Sequence, residues 1–200
     1  MSKIHWDKAA VLAPLPAALV SCGSTDEPNL MTAAWTGIIS SKPPKTYVSV
    51  RPERFSHDII KKTGEFVINL PGASLVRAVD LCGVISGRDG DKFKKAGLTP
   101  ERSDKVSAPS VAECPISVEC RVTDVVSLGS HDMFVADIVG IGVDEAYLDK
   151  NGRLDIEKCD LLCYAHGSYF GLSERLGTFG FSVRKKPAGR PRKKVRTQKK

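Results

Sequence analysis

Turn-forming residues constrain this chain more than any other feature, because they divide its first 143 residues into segments too short for long helices. Between the prolines and glycines, β-branched and other apolar residues form runs typical of strands. We predict strands over 16–22, 29–40, 46–50, 65–70, 116–122 and 133–143. Long crossover helices are missing between them, which favours antiparallel pairing over a βαβ arrangement. The predicted fold class is mainly β, an antiparallel barrel with short peripheral helices.

Two of these strands have a distinctive pattern. Over 116–122, Ile116 and Val118 alternate with Ser117 and Glu119, which predicts a strand with one buried and one solvated face. The strand over 133–143 is apolar on both faces and is therefore expected to be central. The run over 29–40 is long or bent, and the two prolines that follow at 43 and 44 end it.

Three short helical segments are expected around the strands. The first covers 56–62, where Ser56 can cap the start and Gly64 can end the helix. The second covers 73–82, and the third covers 91–96 and is closed by Gly97. None is long enough to cross a sheet as a βαβ connection.

Basic residues are concentrated at the C-terminus. The segment 184–200 holds ten lysines and arginines and no acid, which leaves 20 basic and 23 acidic residues in 1–183. This segment has almost no apolar residue, so burial cannot offset the entropy of ordering it. We predict one folded domain over 1–183, mildly acidic, and a disordered basic tail over 184–200.

The role of the tail stays open between two alternatives. It can serve as a solubilising or non-specifically polyanion-binding segment. Its residues 189–192 read GRPR and resemble the core of an AT-hook, although Ala188 stands where an arginine is expected. The second alternative is therefore weak, salt-sensitive binding of DNA or RNA.

The chain has the sequence features of a cytoplasmic protein without a membrane partner. The longest apolar stretch, 9–22, is too short for a membrane-spanning helix and is broken by Pro14 and Pro16. It also lacks a convincing signal-peptide cleavage pattern. The six cysteines form no CxxC pair, and we expect reduced, mostly buried thiols. Cys159, Cys163 and His166 are the nearest approach to a metal site, and no metal is predicted.

The sequence contains none of the common catalytic motifs that we sought. A GxSxG elbow, a dinucleotide-binding glycine pattern and a GxxxxGK[ST] loop are all missing, so we predict no catalytic nucleophile. An anion site is possible where Arg51, Arg54 and Ser56 precede the first helix, because helix N-termini attract phosphate groups. The alternative is a solvated basic loop with an ordinary serine cap.

A series of segments, taken in order, resembles one family. It runs through PAALV (16–20), NLMTAAW (29–35), SSKPP (40–44), SVR (49–51), EFVIN (65–69), SGRDGDKF (86–93) and GSHDMFV (129–135). Over about residues 8–183 the chain is similar to the flavin reductase-like domain family, and within it to the flavoredoxins. The resemblance implies an FMN-binding split β-barrel of Greek-key antiparallel strands. It also implies a homodimer with tightly bound FMN near the subunit interface, and NADH or NADPH as the reductant.

The resemblance also implies a set of cofactor-binding residues. In this sequence they are Asn29, Met31, Thr32, Trp35, Ser49, Arg51, Ser56, Lys92, His131 and Tyr164. Lys92 is expected near the N1–C2=O edge of the flavin, where its charge raises the reduction potential. Trp35 and Tyr164 are expected on or beside the ring, and His131 at the flavin or the nicotinamide. Without the resemblance, Trp35 reads as a core residue, His131 as a solvated loop residue and Lys92 as a surface charge.

Three functions follow as hypotheses. The first is an FMN-dependent NAD(P)H:flavin oxidoreductase that passes electrons to free flavin, a ferric complex or a redox partner protein. The second is a flavoredoxin-type electron carrier without its own nicotinamide site. The third is a flavin-binding module whose basic tail binds nucleic acid. The sequence does not distinguish NADH from NADPH or name the acceptor, and FMN is favoured over FAD by the resemblance alone.

Overall fold

Strands make up most of the ordered structure in the computed structural model, which describes residues 1–184. They are β1 (Leu15–Pro16), β2 (Ala18–Gly23), β3 (Pro28–Ala33), β4 (Thr36–Ser41), β5 (Pro44–Val50), β6 (Glu65–Leu70), β7 (Pro100–Glu101), β8 (Ser110–Val111), β9 (Ile116–Ser127), β10 (Asp132–Val143), β11 (Leu162–Ala165) and β12 (Ser168–Gly171). The helices are α1 (Phe55–Thr63), α2 (Val76–Val84) and α3 (Lys92–Ala96). Single 3-10 turns cover Ala73–Leu75, Gly87–Asp89, Glu145–Tyr147 and Phe181–Val183.

Seven strands form one antiparallel sheet that curls into a barrel. Their order is β3-β2-β6-β9-β10-β5-β4, so the two edge strands, β3 and β4, are consecutive in the chain. Only Ala34 and Trp35 separate these edges, and the sheet must bend back on itself to bring them together. The run predicted to be long or bent is this β3–β4 pair. The mainly β, antiparallel architecture is confirmed, and β10 lies inside the sheet between β9 and β5 as expected.

The barrel core and a second core share β2 and β3. Inside the barrel, Val20 packs with Phe66 and Phe134, all fully buried. On the opposite side, Leu19 and its neighbours pack against α2 and α3 in a separate cluster that contains Leu30, Val79 and Phe93. Successive residues of β2 and β3 point to opposite faces of the sheet, and residues on both faces are buried. One face packs into the barrel core, and the other packs against α2 and α3 and holds them on the outside of the barrel. A small sheet of order β1-β11-β12 flanks this second core.

The predicted C-terminal ends of α1 and α3 are confirmed, whereas the predicted N-terminal cap of α1 is not. Gly64 and Gly97 end α1 and α3 in the left-handed conformation, with φ of 69° and 68°. The prediction that Ser56 caps α1 is wrong, because the helix begins one residue earlier and Arg54 occupies the N-cap position. The Ser56 hydroxyl instead accepts a hydrogen bond from Asn29 Nδ2 at 2.7 Å. A tertiary partner has therefore replaced the local cap.

Residues 101–112, which we call the strap, cross the outer face of β6 and β9. The Glu119 carboxylate accepts hydrogen bonds from the backbone N–H groups of Asp104 at 3.1 Å and Lys105 at 2.6 Å. Glu65 accepts one from the N–H of Ser107 at 2.7 Å. The strap covers Ser117 and Glu119, which are both buried. The expectation of one solvated face over 116–122 is therefore confirmed at Arg121, which is exposed, and wrong at Ser117 and Glu119, since a later segment covers them.

The side chain of Asn69 joins the strap to the barrel. Its Nδ2 donates to the Leu19 carbonyl at 3.0 Å and to Ser21 Oγ at 2.9 Å. Its Oδ1 accepts from the N–H of Val111 at 2.9 Å and from Ser117 Oγ at 2.8 Å. The side chain is fully buried, and both ends of the amide are paired. One residue therefore fixes β2, β6, β8 and β9 relative to each other.

Five of the six cysteines are buried and Cys163 is partly buried, so the expectation of mostly buried thiols is confirmed. Among residues 1–184, none of the helices has the length and apolar content needed to cross a bilayer. The predicted basic tail, 184–200, lies outside the described residues from position 185 onward.

Candidate functional site

A cleft of about 380 Å³ opens where β3 turns into β4. Its walls come from this bend, from the end of β5, from α2 and from the β11–β12 hairpin. Seven of the ten residues predicted from the sequence line it, namely Met31, Thr32, Trp35, Ser49, Arg51, His131 and Tyr164. The strand order brings together side chains that are up to 133 positions apart in the chain.

One wall of the cleft is a pair of stacked aromatic rings. The rings of Trp35 and His131 lie 4.4 Å apart between centroids, at an angle of 40°. Trp35 is 40% exposed, whereas His131 is only 8% exposed. The readings of Trp35 as a core residue and of His131 as a solvated loop residue are therefore wrong. Burial, with a contribution from the Arg51 cation, lowers the pKa of His131, which favours a neutral imidazole at neutral pH.

The facing wall contains residues that the sequence did not single out. Tyr169 packs edge-on against Tyr164 with ring centroids 5.6 Å apart. Its hydroxyl donates to Asp80 Oδ1 at 3.3 Å. Burial, followed by the neighbouring Asp80 carboxylate, raises the pKa of Tyr169. Tyr169 lies in a stretch rich in glycine and aromatic residues, 161–181, which is a signal that could have found it. Asp80 belongs to an ordinary helical pattern, which contains no such signal.

A smaller pocket of about 260 Å³ adjoins the cleft, and Met31, Arg54 and Val84 line both. Lys92 and Ser56 line this pocket, as two of the remaining predicted residues. Lys92 is 4% exposed, so the reading of this residue as a surface charge is wrong. Its ammonium donates to the Cys82 carbonyl at 2.6 Å. Burial, with a smaller contribution from Arg54, lowers the pKa of Lys92.

Asn29, the tenth predicted residue, lines neither the cleft nor the small pocket, but it contacts Ser56, which lines the small pocket. Its amide Nδ2 donates to Ser56 Oγ at 2.7 Å and holds that hydroxyl in place. The backbone of Gly87 passes so close that a Cβ there would lie 2.2 Å from Asn29 Oδ1 and 2.5 Å from Phe55 Cδ1. Only glycine fits this position without movement of its neighbours. Asn29 therefore acts on the pocket through Ser56.

Three further groups near the site serve the fold, namely the Thr32 hydroxyl and the thiols of Cys22 and Cys82. The Thr32 hydroxyl donates to the Val79 carbonyl and so joins β3 to α2. Burial raises the pKa of the Cys22 thiol to about 11 and that of Cys82 to about 11. Thiols with such pKa values are almost entirely protonated at neutral pH and are poor nucleophiles. Neither of these two thiols is therefore an activated nucleophile beside the cleft.

The two pockets adjoin, since Met31, Arg54 and Val84 line both, and we call the pair of them the groove; its two ends differ chemically. We call the part lined by Trp35, His131, Tyr164 and Tyr169 the aromatic end, and the part lined by Arg54, Ser56 and Lys92 the cationic end. The helix α1 begins beside the cationic end, and the first N–H groups of a helix carry partial positive charge. The groove suits a ligand with a flat ring system and an anionic group. Within residues 1–184, no cluster of His, Cys, Asp and Glu has an arrangement that could hold a metal ion.

Comparisons with known proteins agree with this geometry. The model of the flavin reductase like domain matches residues 12–173. An uncharacterized protein of Archaeoglobus fulgidus is 37% identical over 145 residues, which is 72% of this chain and 80% of that protein. The structure of flavoredoxin of Desulfovibrio vulgaris (Miyazaki F) is 33% identical, with a TM-score of 0.85 over 92% of this chain and 100% of that one.

A third relative is an FMN-binding protein from Thermus thermophilus, solved with bound 1-cyclohex-2-enone. It is 25% identical, with a TM-score of 0.72 over 89% of this chain and 97% of that one. The match to the family covers all of the barrel strands and the whole groove. This chain, a mainly β split barrel, belongs to the flavin reductase-like domain family.

Proposed function

We propose that this protein is an FMN-dependent oxidoreductase that receives electrons from NADH or NADPH and passes them to a second acceptor. The observation that carries the proposal is the groove itself, in which an aromatic end and a cationic end lie next to each other. Membership in a flavin-related family supports a redox role, and the named FMN-binding relative supports FMN as the flavin. The homodimer and the nicotinamide cosubstrate stay predictions.

The cationic end fits the phosphate of FMN. The Lys92 ammonium has three N–H groups, and one of them is used by the Cys82 carbonyl. Arg54 donates from Nη1 to the Gly83 carbonyl at 3.0 Å, which orients its guanidinium at the pocket. A buried ammonium is costly without an anionic partner. We assign the phosphate to Lys92, Arg54 and the Ser56 hydroxyl, with the first turn of α1 beside them.

This assignment moves Lys92 away from the ring edge at which the resemblance places it. Lys92 lines the pocket that contains Ser56, and it does not line the larger cleft that contains Trp35 and Tyr164. The difference can be tested, because riboflavin has the same ring as FMN and lacks the phosphate. A residue at the ring edge affects the binding of both compounds, whereas a residue at the phosphate affects FMN alone.

The aromatic end fits a flat, partly apolar ring. Trp35 and Tyr164 both line the cleft and offer apolar ring surface to it, and the exposed part of Trp35 leaves room for contact with a second molecule. FMN, when bound, supplies the redox chemistry by accepting a hydride and passing electrons on. His131 in its neutral form can donate or accept a hydrogen bond at this end without adding charge. Asp80 and Tyr169 define the polar border of the opening.

A flavoredoxin-type electron carrier is the second candidate, and the similarity to flavoredoxin of Desulfovibrio vulgaris favours it. In this case FMN stays bound and exchanges electrons with partner proteins, and the chain needs no nicotinamide site. The groove geometry supports both candidates equally, since each needs a bound flavin with one accessible face. Kinetics with nicotinamide nucleotides separate them.

The test is the visible absorption spectrum of the purified full-length protein, reconstituted with FMN and then mixed anaerobically with NADH or NADPH. Rapid bleaching of the flavin by either nucleotide supports the oxidoreductase. A flavin that dithionite reduces but neither nucleotide does supports the carrier. A protein that cannot be loaded with FMN refutes both candidates.

A further inference from the structure

A buried polar cluster next to the groove is not used by the proposed chemistry. His57 lies in the first turn of α1, and its Nε2 is 2.9 Å from Asp132 Oδ2. The other oxygen of Asp132 accepts a hydrogen bond from Ser127 Oγ at 2.6 Å. The side chains of His57 and Asp132 are only 5% and 11% exposed. We call His57, Ser127 and Asp132 the bracket.

The bracket holds the base of the turn that carries His131. Ser127 and Asp132 are the last paired residues of the β9–β10 ladder before this turn. The N–H of Leu128 donates to the His131 carbonyl at 2.8 Å, so the turn is tight. Asp132 also pairs with Val50, the residue before Arg51 of the cleft. Any shift of Asp132 therefore moves the adjoining His131 relative to Trp35.

The same bracket reaches the cationic end of the groove. His57 follows Ser56 directly on α1, and its ring packs edge-on against Phe134 of the barrel core with centroids 5.3 Å apart. The contact between His57 and Asp132 thus joins the start of α1 to the start of β10. The first of these segments contributes to the cationic end, and the second contributes to the aromatic end. These two segments are otherwise separated by 75 positions in the chain.

We propose that His57, Ser127 and Asp132 are positioning residues that fix the His131–Trp35 ring pair and set its distance from the cationic end of the groove. The structural part of this inference is independent of any ligand, and its effect on FMN binding rests on the proposed function. Two features support positioning over simple stability. The bracket is attached to groove residues on both of its sides, and each carboxylate oxygen of Asp132 has a buried partner, Ser127 Oγ for one and His57 Nε2 for the other.

Asp58 provides a matched control. Its Oδ1 is 3.1 Å from the Nδ1 of the same histidine, but its side chain is 75% exposed. A contact with a solvent-exposed carboxylate stabilises little, and this one leads to no groove residue. Asp58→Asn therefore removes a charged partner of His57 without touching the link to Asp132.

The experiment uses the stacked rings as the reporter and needs no flavin. The chain has two tryptophans, so Trp6→Phe leaves Trp35 as the only one. A protonated imidazole quenches a neighbouring indole, and the emission of Trp35 is therefore expected to rise as pH rises through the pKa of His131. His131→Gln in the same background removes this transition and identifies it. The charged groups that act on the pKa of His131 are Arg51, which lowers it, and Glu53, which raises it.

Asp132→Asn gives a clear direction in this assay. Loss of a neighbouring carboxylate would by itself lower the pKa of His131 further. If the bracket positions the ring, the imidazole instead leaves its buried place, the midpoint rises toward the ordinary value of about 6.5, and the quenching amplitude falls by more than half. Ser127→Ala changes no charge and is expected to move both quantities in the same direction by less. Asp58→Asn should behave like the parent.

The proposal is overturned if Asp132→Asn and Ser127→Ala fold and keep the parent's midpoint and amplitude. If Asp132→Asn does not fold, the midpoint and the quenching amplitude of Ser127→Ala alone test the proposal. Val67→Ala, a core change beneath the strap, serves as a destabilised control that should leave the transition unmoved. If the midpoint or amplitude shifts as much in this control as in Ser127→Ala, the proposal is also overturned, because the effect would then follow from a general loss of stability.

The functional part is measured as the dissociation constant for FMN. Asp132→Asn and His57→Gln should weaken binding about tenfold, a loss that corresponds to one hydrogen bond, whereas Asp58→Asn should not. If the parent itself binds no FMN, the proposed function fails while the tryptophan titration still decides the positioning role. If FMN affinity is unchanged in both bracket variants, the bracket has no role in holding the cofactor and this part is refuted.

Discussion

Replacing Lys92 by methionine tests the cationic end of the groove most directly. Methionine has a similar length and keeps the packing of a residue that is 4% exposed, but it removes the ammonium. A hydrogen bond to a charged group stabilises by about 1.5–3 kcal/mol net. We therefore expect FMN to bind about 10- to 150-fold more weakly, with the upper part of the range favoured by burial.

The stability of the flavin-free variant should show a different response. Burial of the Lys92 ammonium costs free energy that methionine does not, whereas the Cys82 carbonyl loses a donor. These effects oppose each other, so the free energy of unfolding should fall by no more than about 1 kcal/mol. Because the pKa of Lys92 is lowered in the folded protein, the unfolded chain binds more protons just below pH 10.5, and the wild type gains stability as pH rises there. The stability of the variant relative to wild type should therefore decrease as pH rises through this window.

The assay is a titration of the flavin-free protein with FMN and, separately, with riboflavin, followed by flavin fluorescence. Loss of affinity for FMN alone supports Lys92 at the phosphate. An equal loss of affinity for FMN and for riboflavin would place Lys92 at the edge of the flavin ring. Lys94→Met, an exposed lysine on the same helix, is the matched control for net charge. Wild-type affinity for FMN in Lys92→Met would refute the assigned role.

Three further predictions follow from the described contacts. Trp35→Ala should weaken FMN binding while the thermal unfolding midpoint changes little, because the side chain is 40% exposed; unfolding of the variant would contradict this. Gly87→Ala should weaken FMN binding, since the new methyl would lie 2.2 Å from Asn29 Oδ1 and displace that side chain. Calorimetric titration with FMN measures this loss, and an unchanged affinity would show that the backbone moves to accommodate the methyl. Asn69→Leu should cost at least about 2 kcal/mol in urea unfolding, because several buried partners lose their hydrogen bonds, with FMN affinity of the folded fraction unchanged.

Local patterns in the sequence were sufficient for most elements of the fold. The strands over 65–70 and 133–143 and the helix ends at Gly64 and Gly97 follow from side-chain alternation and from glycine's tolerance of positive φ. The cap at Ser56 failed because the hydroxyl is held by Asn29, a residue 27 positions away. Such a contact depends on the barrel being formed, and no local window contains it.

The site was predictable to the extent that its residues belong to recognisable motifs. Six of the seven predicted residues that line the cleft lie in the quoted segments, as does Lys92 of the adjoining pocket, whereas Tyr164 and Ser56 lie outside them. Asp80 and Tyr169 were missed because each becomes part of the wall only when α2 meets the β11–β12 hairpin. The same reason explains the bracket: His57 and Asp132 become neighbours only through the packing of α1 on the barrel. Pairings of this kind require the three-dimensional path of the chain.

The strap has a consequence for how this surface can diverge among related proteins. The carboxylates of Glu65 and Glu119 hold it through main-chain N–H groups, which every residue except proline provides. The path of the strap is therefore encoded in the sheet beneath it and only weakly in the side chains of residues 104, 105 and 107. Those positions are free to change charge and shape, so one side of the barrel can acquire a new binding specificity while the groove keeps its geometry.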